Sequence, residues 1–279
     1  MKKIIAAIDG LKYSESVTKY AIDLAKQTSS HLVGAFLEDF TYHSYREFEV
    51  IGNDRVSVET QELLEAQDKE AREESITHFR RDCQEAGVNY SIHHDRNIAL
   101  RELLHESIYA DLLVIDSKET LTHYKENIPT RFVRDLLSEV QCPVLIVPQT
   151  YRPINKLVFL YDGEPSSVYA IRTFSYVLPS LKQLETEVVS VKGRSQTGHF
   201  PDSRLMREFM TQHYPKADYT VLTGDPEEEI IIHLEEEERN ILIVLGAYRR
   251  GMVSRWFRPS MADRLMSEVN ACLFIAHNK

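Results

Sequence analysis

The chain reads as an α/β protein made of two successive parallel sheets, each covered by helices on both faces. Three observations carry that expectation. Short apolar runs alternate with stretches of helical spacing along the whole 279 residues. The alternation restarts near the middle of the chain. Strings from the first half then recur in the second, in the same order.

Lys3-Ile-Ile-Ala-Ala-Ile8 is an apolar run that stops at Asp9-Gly10, which marks a strand and its turn. Ser14 to Lys26 carries Val17, Tyr20, Ala21, Leu24 and Ala25 at helical spacing. Leu32–Leu37 is the next strand, followed by a polar and aromatic excursion from Asp39 to about Ser57. A long charged helix is expected from Val58 to Ala86, ended by Gly87. Val88–His93 reads as a strand, Ile98–Tyr109 as a helix and Asp111–Ile115 as a strand. Phe132–Val140 is helical, and Pro143–Val147 closes the first unit with a strand.

Lys156-Leu-Val-Phe-Leu-Tyr-Asp162-Gly163 then echoes Lys3 to Gly10. Val188–Val191, Tyr219–Leu222 and Ile241–Leu245 echo the next three strands, and Leu265-Met-Ser-Glu-Val269 nearly repeats Leu136-Leu-Ser-Glu-Val140. The closing strands Cys142-Pro-Val-Leu-Ile-Val147 and Cys272-Leu-Phe-Ile-Ala276 also correspond. The expected division is residues 1–149 and 155–279, joined near Gln149–Ile154 with Pro153 in the linker.

Composition excludes several classes. Forty-three acidic against 33 basic residues give a net charge of -10, which argues against a global nucleic-acid surface but not against a local basic patch. Three widely spaced cysteines, Cys83, Cys142 and Cys272, suit buried thiols in a reducing cytoplasm. No run approaches the roughly 20 apolar residues that span a bilayer, so a cytoplasmic protein is expected.

Among local features, Asn240 to Leu265 stands out. Five apolar residues end at Gly246, a glycine- and arginine-rich loop follows, and Pro259-Ser260 opens a helical pattern. Free backbone N–H groups, a helix dipole and cationic side chains make such a loop an anion pocket, whereas the plain alternative is an ordinary turn with solvated arginines. Gly224-Asp225-Pro226 precedes another helix.

With strand one ending in Asp-Gly, the Gly-Asp-Pro step and the Gly/Ser loop after strand four, the duplicated unit resembles the universal stress protein family, in its two-domain form. The resemblance implies Rossmann-like units of the adenine nucleotide α-hydrolase type, each with a five-stranded parallel sheet of order 3-2-1-4-5. It implies further that the two last strands pair within the chain. In ATP-binding members the carboxylate after strand one contacts the nucleoside, main chain at the end of strand two holds adenine, and Gly-x2-Gly-x9-Gly-[Ser/Thr] wraps the phosphates. Here those positions fall on Asp162-Gly163, on Val191, and on Gly246, Arg249 and Pro259-Ser260, with Tyr248, Arg250 and Gly251 in the same loop. Two expected glycines are replaced, and Pro259 lacks an N–H; Arg249, Arg250, Arg255 and Arg258 offer guanidinium forks instead. The first half reads Asp116-Ser-Lys-Glu119 and Pro129-Thr130 in this region. Acids there repel phosphate, so only the second half is expected to take an adenine nucleotide such as ATP or another phosphate-bearing ligand.

Asp162 reads equally as a cap for the helix that follows, and Asp9 as structural. Trp256 is expected to pack between loop and helix, and Glu235–Glu238 to be a solvated helix end. His43 beside Tyr42 and Tyr45, and His93-His94, are the only hints of metal ligands; adjacent strand histidines face opposite ways and do not chelate together. No nucleophile elbow, P-loop or dinucleotide turn is present, and no catalytic residue is assigned. Three functions follow: a nucleotide-responsive stress protein acting through protein partners, an interaction module without nucleotide, and, last, a weak ATP hydrolase. An intrachain pseudo-dimer is expected, and homodimers of it remain open.

Overall fold

The computed structural model describes residues 2–38, 58–94, 99–122, 125–192, 203–237, 240–246 and 261–277. Their order is β1 (Lys3–Asp9), α1 (Glu15–Thr28), β2 (His31–Leu37), α2 (Val58–Ala86), β3 (Tyr90–His93), α3 (Ala99–Ser107), β4 (Leu112–Asp116), α4 (Arg131–Glu139) and β5 (Val144–Val147). The second half adds β6 (Lys156–Leu160), α5 (Pro165–Val177), β7 (Glu185–Lys192), α6 (Ser203–His213), β8 (Asp218–Thr223), α7 (Pro226–Glu235), β9 (Ile241–Gly246), α8 (Met261–Glu268) and β10 (Cys272–Ala276). A short 3-10 turn, Pro179–Gln183, links α5 to β7. Strand β7 begins three residues before the expected Val188. Its extra start is polar: Glu185 is exposed, whereas Glu187 is buried and meets the ammonium of Lys156.

All ten strands form one sheet of order β3-β2-β1-β4-β5-β10-β9-β6-β7-β8. Within each half the order is 3-2-1-4-5 and every pairing is parallel. The halves join through β5 and β10, which run antiparallel with Leu273 opposite Ile146 and Ile275 opposite Val144. That pairing covers two edges that would otherwise present unpaired N–H and C=O groups. Parallel strands with helices on both faces lose their polar alternation, as in the fully buried Val-Leu-Ile-Val of β5.

One face of the sheet packs against α1, α2, α5 and α6, the other against α3, α4, α7 and α8. The first face differs between halves. Helix α2 has 29 residues and α6 only 11. In the first half Phe79 of α2 lies over Gly34 of β2, where an added Cβ would come 2.7 Å from a ring carbon. Phe79 also stands edge-on to Phe36, with centroids 5.7 Å apart.

The linker is fastened by α1. The Tyr20 hydroxyl donates to the Arg152 carbonyl at 2.8 Å, and the Tyr151 hydroxyl donates to Asp23 at 2.7 Å. Cys83, Cys142 and Cys272 are buried free thiols. Among the described residues no helix is long and apolar enough to cross a membrane.

The Gly34–Phe79 contact yields a direct test. Gly34→Val should cost about 1–3 kcal/mol through overpacking, read as a lower urea midpoint. Adding Phe79→Leu to that variant should recover part of the loss.

Candidate functional site

In each half the central strand is flanked by neighbours whose following helices leave to opposite faces. In the second half these strands are β6 and β9. Helix α5 after β6 packs on one face and α8 after β9 on the other, so a crevice opens at the carboxyl ends of β6 and β9.

Asp162 stands at the mouth of this crevice and is exposed. One carboxylate oxygen accepts the Glu164 N–H at 2.9 Å and the Ser167 hydroxyl at 2.8 Å, which fastens the turn into α5. The turn passes through Gly163 at φ +85°, a left-handed conformation that favours glycine. Gly246 ends β9 directly beneath α5. A Cβ there would lie 2.3 Å from the Ser166 carbonyl oxygen, so close helix–strand packing alone demands glycine at this position.

Val191 completes the described part of the crevice. In the first half the corresponding carbonyl, on Leu37, accepts the Gly10 N–H at 3.4 Å. In the second half the ladder between β6 and β7 closes with Tyr161 N–H on Val189 at 2.9 Å. No bond corresponding to Gly10–Leu37 runs from Gly163 to Val191. The structure thus brings Asp162, Gly163, Val191 and Gly246 to one end of the sheet. Tyr248, Arg249, Arg250, Gly251, Pro259 and Ser260 lie outside the described residues, as do Arg255, Trp256, Arg258, Tyr42, His43 and Tyr45. The Gly-Asp-Pro step is a helix cap: Asp225 accepts the N–H groups of Glu227 and Glu228 at the start of α7.

In the first half the equivalent crevice is filled with acid. Asp9 is fully buried and accepts the Leu11 N–H at 2.8 Å. Glu119 is buried too, and one of its carboxylate oxygens accepts the N–H groups of Thr120 and Leu121 at 3.0 and 3.1 Å. Thr130, which caps α4, donates its hydroxyl to the Glu119 carbonyl and so fastens the loop to the helix. Burial, and then the nearby charge of Asp9, pushes the Glu119 carboxyl up to about 7. Burial also raises Asp116.

His93 and His94 serve different carboxylates. His93 meets Glu106 at 2.9 Å and His94 meets Glu38 at 2.5 Å. Among the described residues no cluster of three metal-ligating side chains forms.

Glu237 departs from the expected solvated helix end. It bonds Lys156 at 2.7 Å, and Lys156 also meets Glu187 at 2.6 Å. His233 and Thr220 complete the group around Glu187. Burial opposes charge on both Lys156 and Glu187, but mutual bonding outweighs it: Lys156 is raised and Glu187 is held below the usual carboxylate range. The acidic run 235–238 gave no hint of this, because the partner ammonium lies 81 residues away in sequence.

Two stability tests follow from these groups. Lys156→Met leaves two carboxylates without their cation and should cost about 3–5 kcal/mol in urea unfolding. For Glu119, the folded chain holds a proton that the unfolded chain, with its ordinary value of 4.5, releases first. Stability therefore falls as pH rises from 4.5 to about 7 and the contribution is gone above that window. Glu119→Gln should flatten that slope and raise the urea midpoint at about pH 8. A variant curve as steep as that of the parent would contradict the assignment. Asp9, Asp116 and Lys12 are the charges that act on Glu119.

Comparison with known proteins supplies the kinship. No curated protein matches the chain in sequence. Among solved structures, a universal stress protein from Archaeoglobus fulgidus DSM 4304 superposes with TM-score 0.74 at 15% identity, covering 99% of this chain and 98% of that one. Protein PA1789 from Pseudomonas aeruginosa PAO1, described as functionally unknown, gives TM-score 0.60 at 16% identity over 99% and 92% of the two chains. A putative universal stress protein from Pseudomonas aeruginosa UCBPP-PA14 gives 0.56 at 15% identity over 99% and 93%. These likenesses establish a shared fold. The model of the Universal stress protein family matches residues 1–148, more than half of the chain. On that match, this chain belongs to the universal stress protein family.

Proposed function

We propose that the chain is a nucleotide-responsive stress protein whose second half takes an adenine nucleotide and whose first half is closed to one. The observation that supports this most is the contrast at the ends of β2 and β7. The Leu37 carbonyl accepts the Gly10 N–H, whereas no such bond joins Gly163 to the Val191 carbonyl. That carbonyl suits the exocyclic amine of adenine, and the exposed Asp162 carboxylate suits the hydroxyls of a ribose. The phosphates would run toward the segment after Gly246, where this sequence carries Arg249, Arg250 and Ser260. In the first half, the buried Asp9 and Glu119 side chains occupy the same crevice, where the charge of Asp9, and that of Glu119 once it loses its proton above about pH 7, would repel a phosphate. The bound state would change what the protein's surface offers to its partners.

The second reading, an interaction module that no longer binds nucleotide, has one specific observation in its favour. Gly246 is required for packing against Ser166, so its presence is explained without a ligand. Titration calorimetry of the full chain with ATP, ADP, AMP and cyclic AMP separates the two. The nucleotide reading expects saturable heat with at least one of them, weakened about tenfold or more by Asp162→Ala and left unchanged by Glu119→Gln. Absence of heat at about millimolar ligand would favour the interaction module.

A further inference from the structure

The ten-stranded sheet ends in two edge strands, β3 and β8, and they differ. Strand β3 has four residues, all half-buried, and so short an edge offers little to a pairing chain. Strand β8 has six residues, of which Asp218, Tyr219, Val221 and Thr223 are exposed. Its register with β7 runs unbroken from Asp218 to Thr223, without a bulge. Its sequence, Asp-Tyr-Thr-Val-Leu-Thr, holds no proline and no lysine, the residues that usually blunt an edge. Among the described residues no strand pairs with its outer side.

The ladder with β7 fixes which groups this edge presents. The Gly224 N–H donates to the Lys192 carbonyl at 3.0 Å. Along a strand, alternate residues turn their N–H and C=O to the same neighbour. Asp218, Thr220 and Leu222 therefore bond inward to β7, and Tyr219, Val221 and Thr223 turn their backbone groups outward. The side chains of those three share one face of the strand. It is the face toward α6, because Arg207 of α6 lies 6.0 Å over the Tyr219 ring. Tyr219 and Val221 are each 38% exposed there. Outward backbone and exposed apolar side chains thus fall on the same residues.

We propose that β8 pairs with β8 of a second copy of this chain, antiparallel about a two-fold axis at Val221. Such an axis sets its central residue against itself, and the ladder closes only if that residue's backbone points outward. Val221 is the middle one of the three that do. In this register Val221 meets Val221 of the other copy, and Tyr219 meets Thr223, an aromatic against a β-branched residue. The chain closes its own two inner edges in the same antiparallel way at β5 and β10. Charge agrees with the register. It carries the exposed Lys216 toward the acidic start of α7 in the other copy, with Asp225, Glu227 and Glu228. Asp218 is the opposed group, since it faces Gly224, over which the Glu229 side chain lies. Six residues a side make a small interface, and a net charge of -10 on each copy weakens it further, so the dimer is a weak one. The edge lies two strands from β6 and does not depend on nucleotide binding at Asp162.

Sedimentation equilibrium of the full chain from about 5 to about 500 µM tests the proposal, and a monomer–dimer equilibrium should appear within that range. Val221→Lys should weaken the dimer about tenfold or more, because two ammonium groups would meet at the axis. At this exposed edge position its urea midpoint should stay that of the parent, which separates lost pairing from lost folding. Lys216→Glu should weaken the dimer about threefold and Asp218→Asn should tighten it by a similar factor, opposite signs that are particular to this register. Ile108→Lys, at an exposed apolar site of the first half, and Asp162→Ala should leave it unchanged. A chain monomeric at about 500 µM, a dimer indifferent to Val221→Lys, a dimer lost in Ile108→Lys, or shifts of the same sign in Lys216→Glu and Asp218→Asn would each overturn it. A chain that stays monomeric yet binds an added extended peptide of alternating apolar sequence, with binding lost in Val221→Lys, would also overturn it and give the edge to a strand of another protein.

Discussion

The pairing of β5 with β10 is the constraint on which the rest of the molecule depends. Each half is a five-stranded sheet whose last strand would otherwise be an open edge, and the antiparallel ladder closes both. Because the two last strands run in opposite directions, the carboxyl ends of the parallel strands in the two halves lie at opposite ends of one sheet. The pairing also has a polarity. Repeat correspondence between Leu136-Leu-Ser-Glu-Val140 and Leu265-Met-Ser-Glu-Val269 places Arg134 and Asp263 at equivalent positions. These two residues meet across the junction at 3.9 Å. A half that paired with a copy of itself would set arginine against arginine or aspartate against aspartate. At such partly exposed positions the attraction is small, but the repulsion in the wrong assembly biases the choice toward the intrachain partner.

That junction frees the two halves to diverge elsewhere. In the first half, long helix α2 seals one face through Phe79 on Gly34, and Glu119 closes the crevice. In the second half, α6 is short and Gly246 brings β9 tight against α5. The charged residues follow the same division. Lys156, Glu187 and Glu237 form a satisfied network at the amino end of β6, far from the crevice, where it serves stability.

The alternation of elements and the order 3-2-1-4-5 were legible because burial on both faces writes parallel strands as apolar runs. The first-half crevice was legible in part, since Asp116 and Glu119 are acids where phosphate would sit. What remained hidden depends on long-range geometry. Gly246 was readable as a glycine, but its neighbour Ser166 is 80 positions earlier by number and only the folded sheet brings the two together. Glu237 looked solvated because the sequence around it is acidic, whereas its ammonium partner sits on a strand.

The contrast between Glu38 and Lys192 bears on why the two halves differ. A protein interior tolerates a charge when it is paired, and Glu38 has Arg72 and His94. It tolerates a carboxyl whose charge is quenched by a proton, which is the course Glu119 takes. Lys192, at the equivalent position of the second half, has no acidic partner among the described residues. Replacing Phe36 by Ser190 at the adjacent position removes apolar filling as well, so packing alone does not account for this pair of exchanges. At these positions the first half satisfies its own side chains, with Phe36 on Phe79 and Glu38 on Arg72 and His94, and the second half departs from that pattern.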